Sequence, residues 1–279
     1  MHRLNDLTPP GDVFLRDRQL GEVQSVTWDS GDGLKIEGIL TLPPAAVAKP
    51  PYPVIVYSHG GPHGRVALGF NFTVQLFAAH GFAVLQPNFR GSTGYGLKFL
   101  DANRGDFGGG DMRDILAGIE HLAKQGLIDR DLQFAYGTSY GGYMTTWLVG
   151  HTHQFRAAAA GNPVTDLGMM WHLSDLPSWI EWEFGGRPWE IAERLRKHSP
   201  LTYADAVKTP TLLLLSSGDR RCPPAMGRAF HKALHVGGIP TGLVIYPDEP
   251  HDLRQPRHRE DALRRTLSWF QQFRKHEDK

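Results

Sequence analysis

The sequence has little of what marks a membrane, a nucleic-acid-binding or a disulfide-stabilised protein. Its 279 residues contain one cysteine, Cys222, which excludes an intramolecular disulfide. Nowhere do about 18 apolar residues run together, and the amino terminus lacks the apolar core of a signal peptide. The 30 basic and 29 acidic residues are well mixed, so no basic stripe is present to attract nucleic acid or an anionic membrane. These absences favour a cytoplasmic protein that binds neither nucleic acid nor membrane.

Length and the order of predicted elements favour one large α/β domain. The chain is 41% hydrophobic, enough for a substantial core. An opening antiparallel hairpin is predicted, because an Asp-Gly turn separates two strand-like runs, Glu22–Trp28 and Leu34–Leu42. Strands and helices then alternate, which is typical of a mostly parallel twisted sheet with helices on both faces. The predicted strands are 54–58, 82–87, 132–136, 155–160, 211–219 (a strand with its turn) and 241–246, and the predicted helices are 73–80, 112–125, 143–150 and 258–275.

The most informative motif is GTSYG at residues 137–141, a G-x-S-x-G set between a predicted strand and a predicted helix. This context is typical of a nucleophile elbow, a sharp turn that exposes a serine at the end of a sheet. Glycines suit the turn because they leave room for close backbone approach. The following helix would point its free N–H groups toward the serine. The motif therefore predicts that Ser139 is a nucleophile.

A serine nucleophile requires a histidine base and an acid that orients it, and both residue types occur in the order Ser, Asp, His. Asp219 is the last residue of a strand with its turn, TLLLLSSGD (211–219), and His251 lies on the loop after the next strand. Both residues thus come just beyond the carboxyl ends of strands, where parallel α/β sheets collect their chemistry. Among 14 histidines only His251 has this placement.

The tetrahedral intermediate also requires two backbone N–H donors. One is predicted to be Tyr140, the residue after the nucleophile, and the other Gly61, in the HGGPH loop after an early strand. The two histidines of that loop, His59 and His63, could be a metal pair, but no third ligand lies nearby in the sequence. No metal site and no cofactor are predicted.

The alternation of strands and helices is interrupted between residues 164 and 208 by an insertion rich in tryptophan. In a sheet of this type an insertion at that point would lie over the carboxyl edge, so Trp171, Trp179 and Trp182 could line an apolar substrate pocket. Packing of the insertion onto the body is the other interpretation of each tryptophan. Arg90 and Asp106 are expected to form a structural ion pair or to anchor loops, and Cys222 is expected to be a buried, unreactive residue.

Six motifs together resemble the catalytic domain of the prolyl oligopeptidase family, with the acylaminoacyl-peptidase branch nearest. The similarity extends over roughly residues 20–273 and implies an α/β-hydrolase fold, Ser139 as nucleophile, Asp219 and His251 as its partners, and Gly61 and Tyr140 as the oxyanion hole. The motifs are HGGPH (59–63), NFRGSTGYG (88–96), GDFGG (105–109), GTSYGGYM (137–144), DRRCP (219–223) and YPDEPH (246–251).

Members of that branch normally carry a β-propeller before the hydrolase domain, and 279 residues leave no room for one. Residues 1–20 resemble the segment that joins the two domains, so residues 21–279 are expected to be the hydrolase domain. Whether the sequence is an excised domain or a naturally propeller-less protein stays open.

The expected function is that of a serine hydrolase that cleaves peptide, acyl-amino-acid or ester bonds through an acyl-enzyme. Its expected substrate is a small ester or a short acyl-peptide, and self-association into a homo-oligomer is possible. A carboxylesterase with little peptidase activity is one alternative. A catalytically silent hydrolase fold that serves as an interaction module is another.

Overall fold

The computed structural model describes residue 15 and residues 18–274 of the chain. The predicted linker-like segment 1–20 therefore lies mostly outside the described residues, as do residues 275–279, which include the predicted end of the last helix. Across the described part of the chain, no helix has the combination of length and apolar character that crossing a bilayer requires.

The described residues form one eight-stranded sheet with helices on both of its faces. The strands are β1 (Glu22–Asp29), β2 (Lys35–Leu42), β3 (Tyr52–Ser58), β4 (Ala83–Asn88), β5 (Ile128–Thr138), β6 (Phe155–Gly161), β7 (Thr211–Ser216) and β8 (Thr241–Tyr246). The α-helices are α1 (Phe72–Ala79), α2 (Leu97–Leu100), α3 (Gly110–Lys124), α4 (Tyr140–His151), α5 (Leu167–Leu173), α6 (Pro177–Phe184), α7 (Ala192–Lys197), α8 (Pro224–Val236) and α9 (Pro256–Arg274). Two 3₁₀ segments span Asp101–Asn103 and Pro200–Ala206.

The strand order is β1-β2-β4-β3-β5-β6-β7-β8. The first two strands form the predicted antiparallel hairpin, and β2 also pairs antiparallel with β4. All later neighbours pair in parallel. The predicted fold class is confirmed. The carboxyl ends of β5, β7 and β8 therefore meet at one edge of the sheet, and the residues that follow them are Ser139, the Asp219 loop and the His251 loop.

The two faces of the sheet carry separate apolar clusters because side chains alternate along each strand. On one face Val54 and Val56 pack with the helices α3, α4 and α8. On the other face Ile55 packs with α1 and α9, through fully buried Phe77 and Phe270. The central strands are buried on both sides, so the edge that carries the candidate residues is held rigidly.

Helix α8 is missing from the elements predicted above. Its buried residues Met226, Phe230 and Leu234 recur every four positions, which is a helical pattern. Two consecutive prolines, Pro223 and Pro224, precede the apolar positions and conceal the start of the helix, although proline is well tolerated in a first turn.

Arg90 and Asp106 were expected to form a structural ion pair or to anchor loops; they do not pair with each other, and both anchor loops. Arg90 instead binds the fully buried Asp114 through two nitrogens, at 2.7 and 2.9 Å, and reaches Asp32 at 2.8 Å. The Asp106 carboxylate accepts a hydrogen bond from the Gly110 amide at the start of α3. Both residues anchor loops, but they do so with different partners.

Candidate active site

Ser139 lies at the junction of β5 and α4 in a strained backbone conformation. Its φ is 63° and its ψ is −123°, a combination that non-glycine residues rarely adopt. The Ser139 amide donates to Gly161 O on the neighbouring strand β6 at 3.0 Å, and Ser139 O accepts from Tyr143 in the first turn of α4. The sharp turn between strand and helix is the geometry of a nucleophile elbow.

The two glycines of the motif are required by close backbone packing. A Cβ on Gly137 would lie 2.4 Å from the carbonyl carbon of Gly141, and a Cβ on Gly141 would lie 2.1 Å from Ser58 O. Both distances are far below van der Waals contact, and the obstructing atoms belong to the backbone, which cannot rotate away. A side chain at position 137 would push α4 away from β5, and one at position 141 would push α4 away from β3.

His251 and Asp219 are joined by a short hydrogen bond. His251 Nδ1 lies 2.7 Å from Asp219 Oδ2, and the Asp219 side chain is buried. The other carboxylate oxygen, Oδ1, accepts from the amides of Arg221 at 2.8 Å and Cys222 at 2.9 Å. These two bonds fix the carboxylate, which in turn fixes the orientation and tautomer of the imidazole. Among the described residues, no hydrogen bond engages its other ring nitrogen, Nε2.

Ser139, His251 and the candidate oxyanion residues line one cavity of about 230 Å³. In this structure Ser139 Oγ has Cys222 Sγ as its hydrogen-bonding neighbour, at 3.9 Å, and no hydrogen bond joins Ser139 to His251. Catalytic hydrogen bonds commonly tighten only when substrate is bound. Cys222 is buried as expected, and burial raises the pKa of its thiol far above the ordinary value, which keeps it neutral.

The amides of Gly61 and Tyr140 border the same cavity. Neither amide donates a hydrogen bond to any of the residues described by the structure. The Tyr140 amide is free because it opens helix α4, where N–H groups have no intrahelical acceptor. The Tyr140 phenol points into the core and donates to the buried Asp111 at 2.5 Å. Burial raises the pKa of Asp111 to about 7.

The wall of the cavity that faces the insertion is largely apolar. Trp179 contributes to it, whereas Trp171 and Trp182 lie elsewhere. Trp171 packs edge-on against Trp189 and donates to Glu181 at 2.9 Å. Trp182 is 60% exposed and lies under the Arg104 guanidinium, because it points outward from α6. The remaining lining residues are Val164, Met170, Leu176, Arg221 and Cys222.

His59 and His63 do not form a metal pair, since both ring nitrogens of each are already engaged. His59 is stacked on Phe89 and contacts the Ser92 hydroxyl at 2.8 Å, and its burial lowers its pKa to about 4. His63 joins Gly91 O and the buried carboxylate of Glu183, both at 2.8 Å. Hydrogen bonding to that carboxylate raises the pKa of His63.

Within the described ranges, one group of three potential metal ligands comes together. It consists of Asp219, Cys222 and His251, whose ligand atoms lie within 4.8 Å of one another. Asp219 and His251 are already bonded to each other, and the thiol is neutral. Both oxygens of the Asp219 carboxylate and one ring nitrogen of His251 are thus already engaged, which does not favour a metal at this group.

A sequence model of the prolyl oligopeptidase family matches residues 68–277, three quarters of the chain. The chain belongs to the prolyl oligopeptidase family. It is 35% identical over 271 residues to a Bacillus subtilis protein named Uncharacterized peptidase YuxL, covering 95% of this chain and 41% of that protein. It is 32% identical to the acylamino-acid-releasing enzyme of Homo sapiens, covering 85% of this chain and 34% of the human protein.

Solved structures of the family have the same fold. Acylaminoacyl peptidase from Pyrococcus horikoshii superposes with a TM-score of 0.91 at 31% identity, over 98% of this chain and 45% of that one. An acylaminoacyl peptidase in complex with Z-Gly-Gly-Phe-chloromethyl ketone has the same TM-score at 32% identity, again over 98% and 45%. This chain therefore spans less than half the length of the family members that it matches.

Several residues around Ser139 were not identified from the sequence. Arg221 lines the cavity and pairs with Asp175 at 2.7 Å, which ties the acid loop to the insertion. Met170 and Leu176 contribute apolar wall from the insertion. Only the position of Arg221, two residues after the predicted acid, could have indicated its place. Met170 and Leu176 resemble any other apolar residues of a short helix.

Proposed function

We propose that this chain is a serine hydrolase that cleaves an acyl bond through an acyl-enzyme. Ser139 would be the nucleophile, His251 the general base and Asp219 the residue that orients it, with the Gly61 and Tyr140 amides as oxyanion hole. The observation that carries the proposal is the 2.7 Å His251–Asp219 bond on the wall of the cavity that also contains the strained Ser139. Membership of a family of peptidases supports it.

The proposed reaction has two halves. In the first, Ser139 Oγ attacks the substrate carbonyl carbon while His251 Nε2 takes the hydroxyl proton, and the oxyanion receives hydrogen bonds from the two free amides. The carbon–nitrogen or carbon–oxygen bond then breaks, and the leaving group departs with the proton from His251. In the second half, a water molecule passes a proton to His251 and attacks the acyl-enzyme, which releases the acid and regenerates Ser139.

The dimensions of the cavity favour a short acyl group. A volume of about 230 Å³ lies below the range of about 300–1,000 Å³ that is typical of sites for drug-sized ligands. Its wall of Val164, Met170, Leu176 and Trp179 would favour an apolar side chain or acyl chain. We therefore propose N-acylated amino acids, short acyl-peptides and small esters as substrates, in keeping with the names of the acylaminoacyl-peptidase relatives.

Labelling with a fluorophosphonate tests the proposal directly. We expect one covalent adduct on Ser139, located by peptide mass spectrometry, because only an activated serine reacts. A panel of acyl-amino-acid amides and matched esters, differing only in the leaving atom, would then separate a peptidase from a carboxylesterase. A folded protein that neither labels nor turns over any member of the panel would favour a silent hydrolase fold.

A further inference from the structure

Asn162 is hydrogen-bonded to the His251 loop and to the strand that leads to Asp219, and the residue before it is hydrogen-bonded to Ser139. Asn162 directly follows β6 and is buried, with a φ of 40° that places it in the left-handed region. Asparagine tolerates this region better than other residues that have a Cβ. A buried polar residue with an unusual backbone, at the carboxyl edge of the sheet, requires a physical reason.

The side-chain amide of Asn162 uses both its donor and its acceptor. Nδ2 donates to His251 O at 2.8 Å and to Ser216 Oγ at 3.0 Å, and Oδ1 accepts from the Ser216 amide at 2.8 Å. Ser216 ends β7, the strand that leads into the Asp219 loop. One planar group therefore joins the loop of the base to the strand of the acid.

The backbone on either side of Asn162 extends this connection to the nucleophile. The Asn162 amide donates to Leu214 O on β7 at 2.9 Å. The preceding residue, Gly161, accepts from the Ser139 amide at 3.0 Å. The spacing between the elbow, the acid strand and the base loop is thus set at one point in the chain.

Glu249 is anchored through its carbonyl and its carboxylate, but between it and helix α9 the residues next to His251 have few constraints of their own. From Pro250 to Asp252, the hydrogen bonds made within residues 18–274 are the two at His251: its ring to Asp219 and its carbonyl from Asn162. A cavity of about 540 Å³, lined by Asn162 and His251 together with Asp252, borders the loop. Because packing against this side of the loop is incomplete, the carbonyl bond fixes the backbone from which the imidazole extends.

We propose that Asn162 is a positioning residue that holds the backbone of His251 where the imidazole can take the proton of the Ser139 hydroxyl. This inference rests on the proposed function. Asp219 controls the tautomer and rotation of the ring, whereas Asn162 controls the place of the backbone that carries it. An aspartate at position 162 would keep the acceptor for Ser216 but would direct a carboxylate oxygen at His251 O, another acceptor.

The test compares three variants, Asn162→Asp, Asn162→Ala and Asn162→Gly. We expect kcat to fall about 10- to 100-fold in each, with KM changed less than about threefold, because a shift of about 1 Å in a catalytic group costs that much while the acyl cavity is untouched. The rate of fluorophosphonate labelling should fall in parallel, since it depends on activation of Ser139. The downfield NMR resonance of the proton between His251 and Asp219 should shift or broaden.

Asn162→Gly separates hydrogen bonding from backbone strain, because glycine accepts a positive φ without cost and has no amide side chain. Wild-type kcat in this variant would overturn the proposal and reduce Asn162 to a conformational role. A loss confined to KM would also overturn it. Asn71→Ala is the matched control: Asn71 caps helix α1 by accepting from the Val74 amide, so its loss should lower the melting temperature and leave kcat unchanged.

Ser216→Ala provides a second route if the Asn162 variants do not fold. It removes one acceptor of the Asn162 amide and keeps the bond to His251 O, so we expect a smaller decrease in kcat, about two- to fivefold. No decrease in a folded Ser216→Ala protein would contradict the proposal. Inactivity of the wild-type protein toward fluorophosphonate and substrates would refute the proposed function instead, so the two failures are distinguishable.

Discussion

The elbow around Ser139 and the insertion that borders its cavity are held by different kinds of contact. In the elbow, backbone meets backbone: Gly137 approaches Gly141, Gly141 approaches Ser58 O, and the Ser139 amide bonds to Gly161 O. These contacts lie on central strands that are buried on both faces. Because the contacting atoms belong to the backbone, no side chain can rotate to relieve a clash, and a substitution here would displace the strand or the helix.

The insertion is attached mainly by side chains. Its buried underside includes Ile180 and Phe184, the latter packed edge-on against Phe107 with ring centroids 5.0 Å apart. Its rim is polar: Asp175 pairs with Arg221 at 2.7 Å, and Glu183 pairs with His63 at 2.8 Å. Side chains of this kind can be exchanged without moving a strand.

The difference between the two regions indicates a division of roles. The elbow and the two loops beside it place the groups that would do chemistry, which tolerate shifts of only a fraction of an ångström. The insertion supplies Met170, Leu176 and Trp179 to the wall of the cavity, where a change alters which acyl group fits. Substitutions in the elbow should therefore affect rate or folding, and substitutions in the insertion should affect selectivity.

The largest effect is expected from Ser139→Ala. Without the hydroxyl no acyl-enzyme can form, so kcat should fall by at least about 10⁴-fold while the fold and the cavity are kept. Active-site titration and circular dichroism would check the two parts of this expectation. Retention of most of the wild-type kcat by a folded Ser139→Ala protein would contradict the assignment of the nucleophile.

The next largest effect is expected from Gly141→Ala. The new Cβ would lie 2.1 Å from Ser58 O, so the elbow and β3 must separate. We expect a loss of about 3 kcal/mol or more in the free energy of unfolding, measured by urea denaturation, with activity lost in parallel. Gly31→Ala is the control: no atom lies within 4 Å of its added Cβ, so stability should change little. Equal stability of the two variants would show that the elbow can yield.

The same comparison explains what could be predicted from the sequence. The elbow and the loop residues Asp219 and His251 can be identified because strict backbone geometry restricts the residue types nearby in the sequence. The glycines on either side of Ser139 are an example. The parallel sheet follows likewise from alternating strands and helices. For Arg90 the expectation of a loop anchor holds, but its partner Asp114 could not be identified because it looks like an ordinary polar residue of helix α3.

Roles that depend on a distant partner could not be predicted. The sequence does not distinguish Trp171, Trp179 and Trp182 as candidates for the cavity wall. Only the orientation of the helices places Trp179 in the wall and Trp182 in solvent. Asn162 is equally inconspicuous in the sequence, because its partners His251 and Ser216 lie 89 and 54 positions away. Contacts between residues so far apart in the sequence depend on the tertiary arrangement of the loops, which no local pattern indicates.

An intermediate effect, on selectivity, is expected from Trp179→Leu. Loss of the indole should enlarge the cavity, which is too small for large acyl groups, and raise the ratio of kcat/KM for an aromatic over an acetyl substrate by about 10-fold. Trp182→Leu is the matched control on the same helix: Trp182 is 60% exposed and outside the cavity, so the ratio should stay within about twofold of wild type. Equal shifts in both variants would show that the insertion acts as a whole and not through Trp179.

The smallest effect concerns the pH dependence of the rim. Both ring nitrogens of His63 face acceptors, Gly91 O and the buried Glu183 carboxylate, an arrangement that favours the charged form of the imidazole. Glu183 raises the pKa of His63 above its ordinary value, and the charge of Asp101 adds to this effect. The resulting stabilisation is complete below the unfolded pKa of about 6.5 and is lost as the pH rises through the higher folded value.

Glu183→Gln should therefore lower the melting temperature most at about pH 6, and the gap from wild type should narrow toward about pH 9 as His63 loses its proton. Glu193→Gln is the control, since Glu193 pairs with Arg196 on α7 of the same insertion and arginine does not titrate in this range. Its gap from wild type should be small and independent of pH. If the Glu183→Gln gap stays constant or widens with pH, the pair is not charged, and the insertion is held to the Gly61 loop by packing alone.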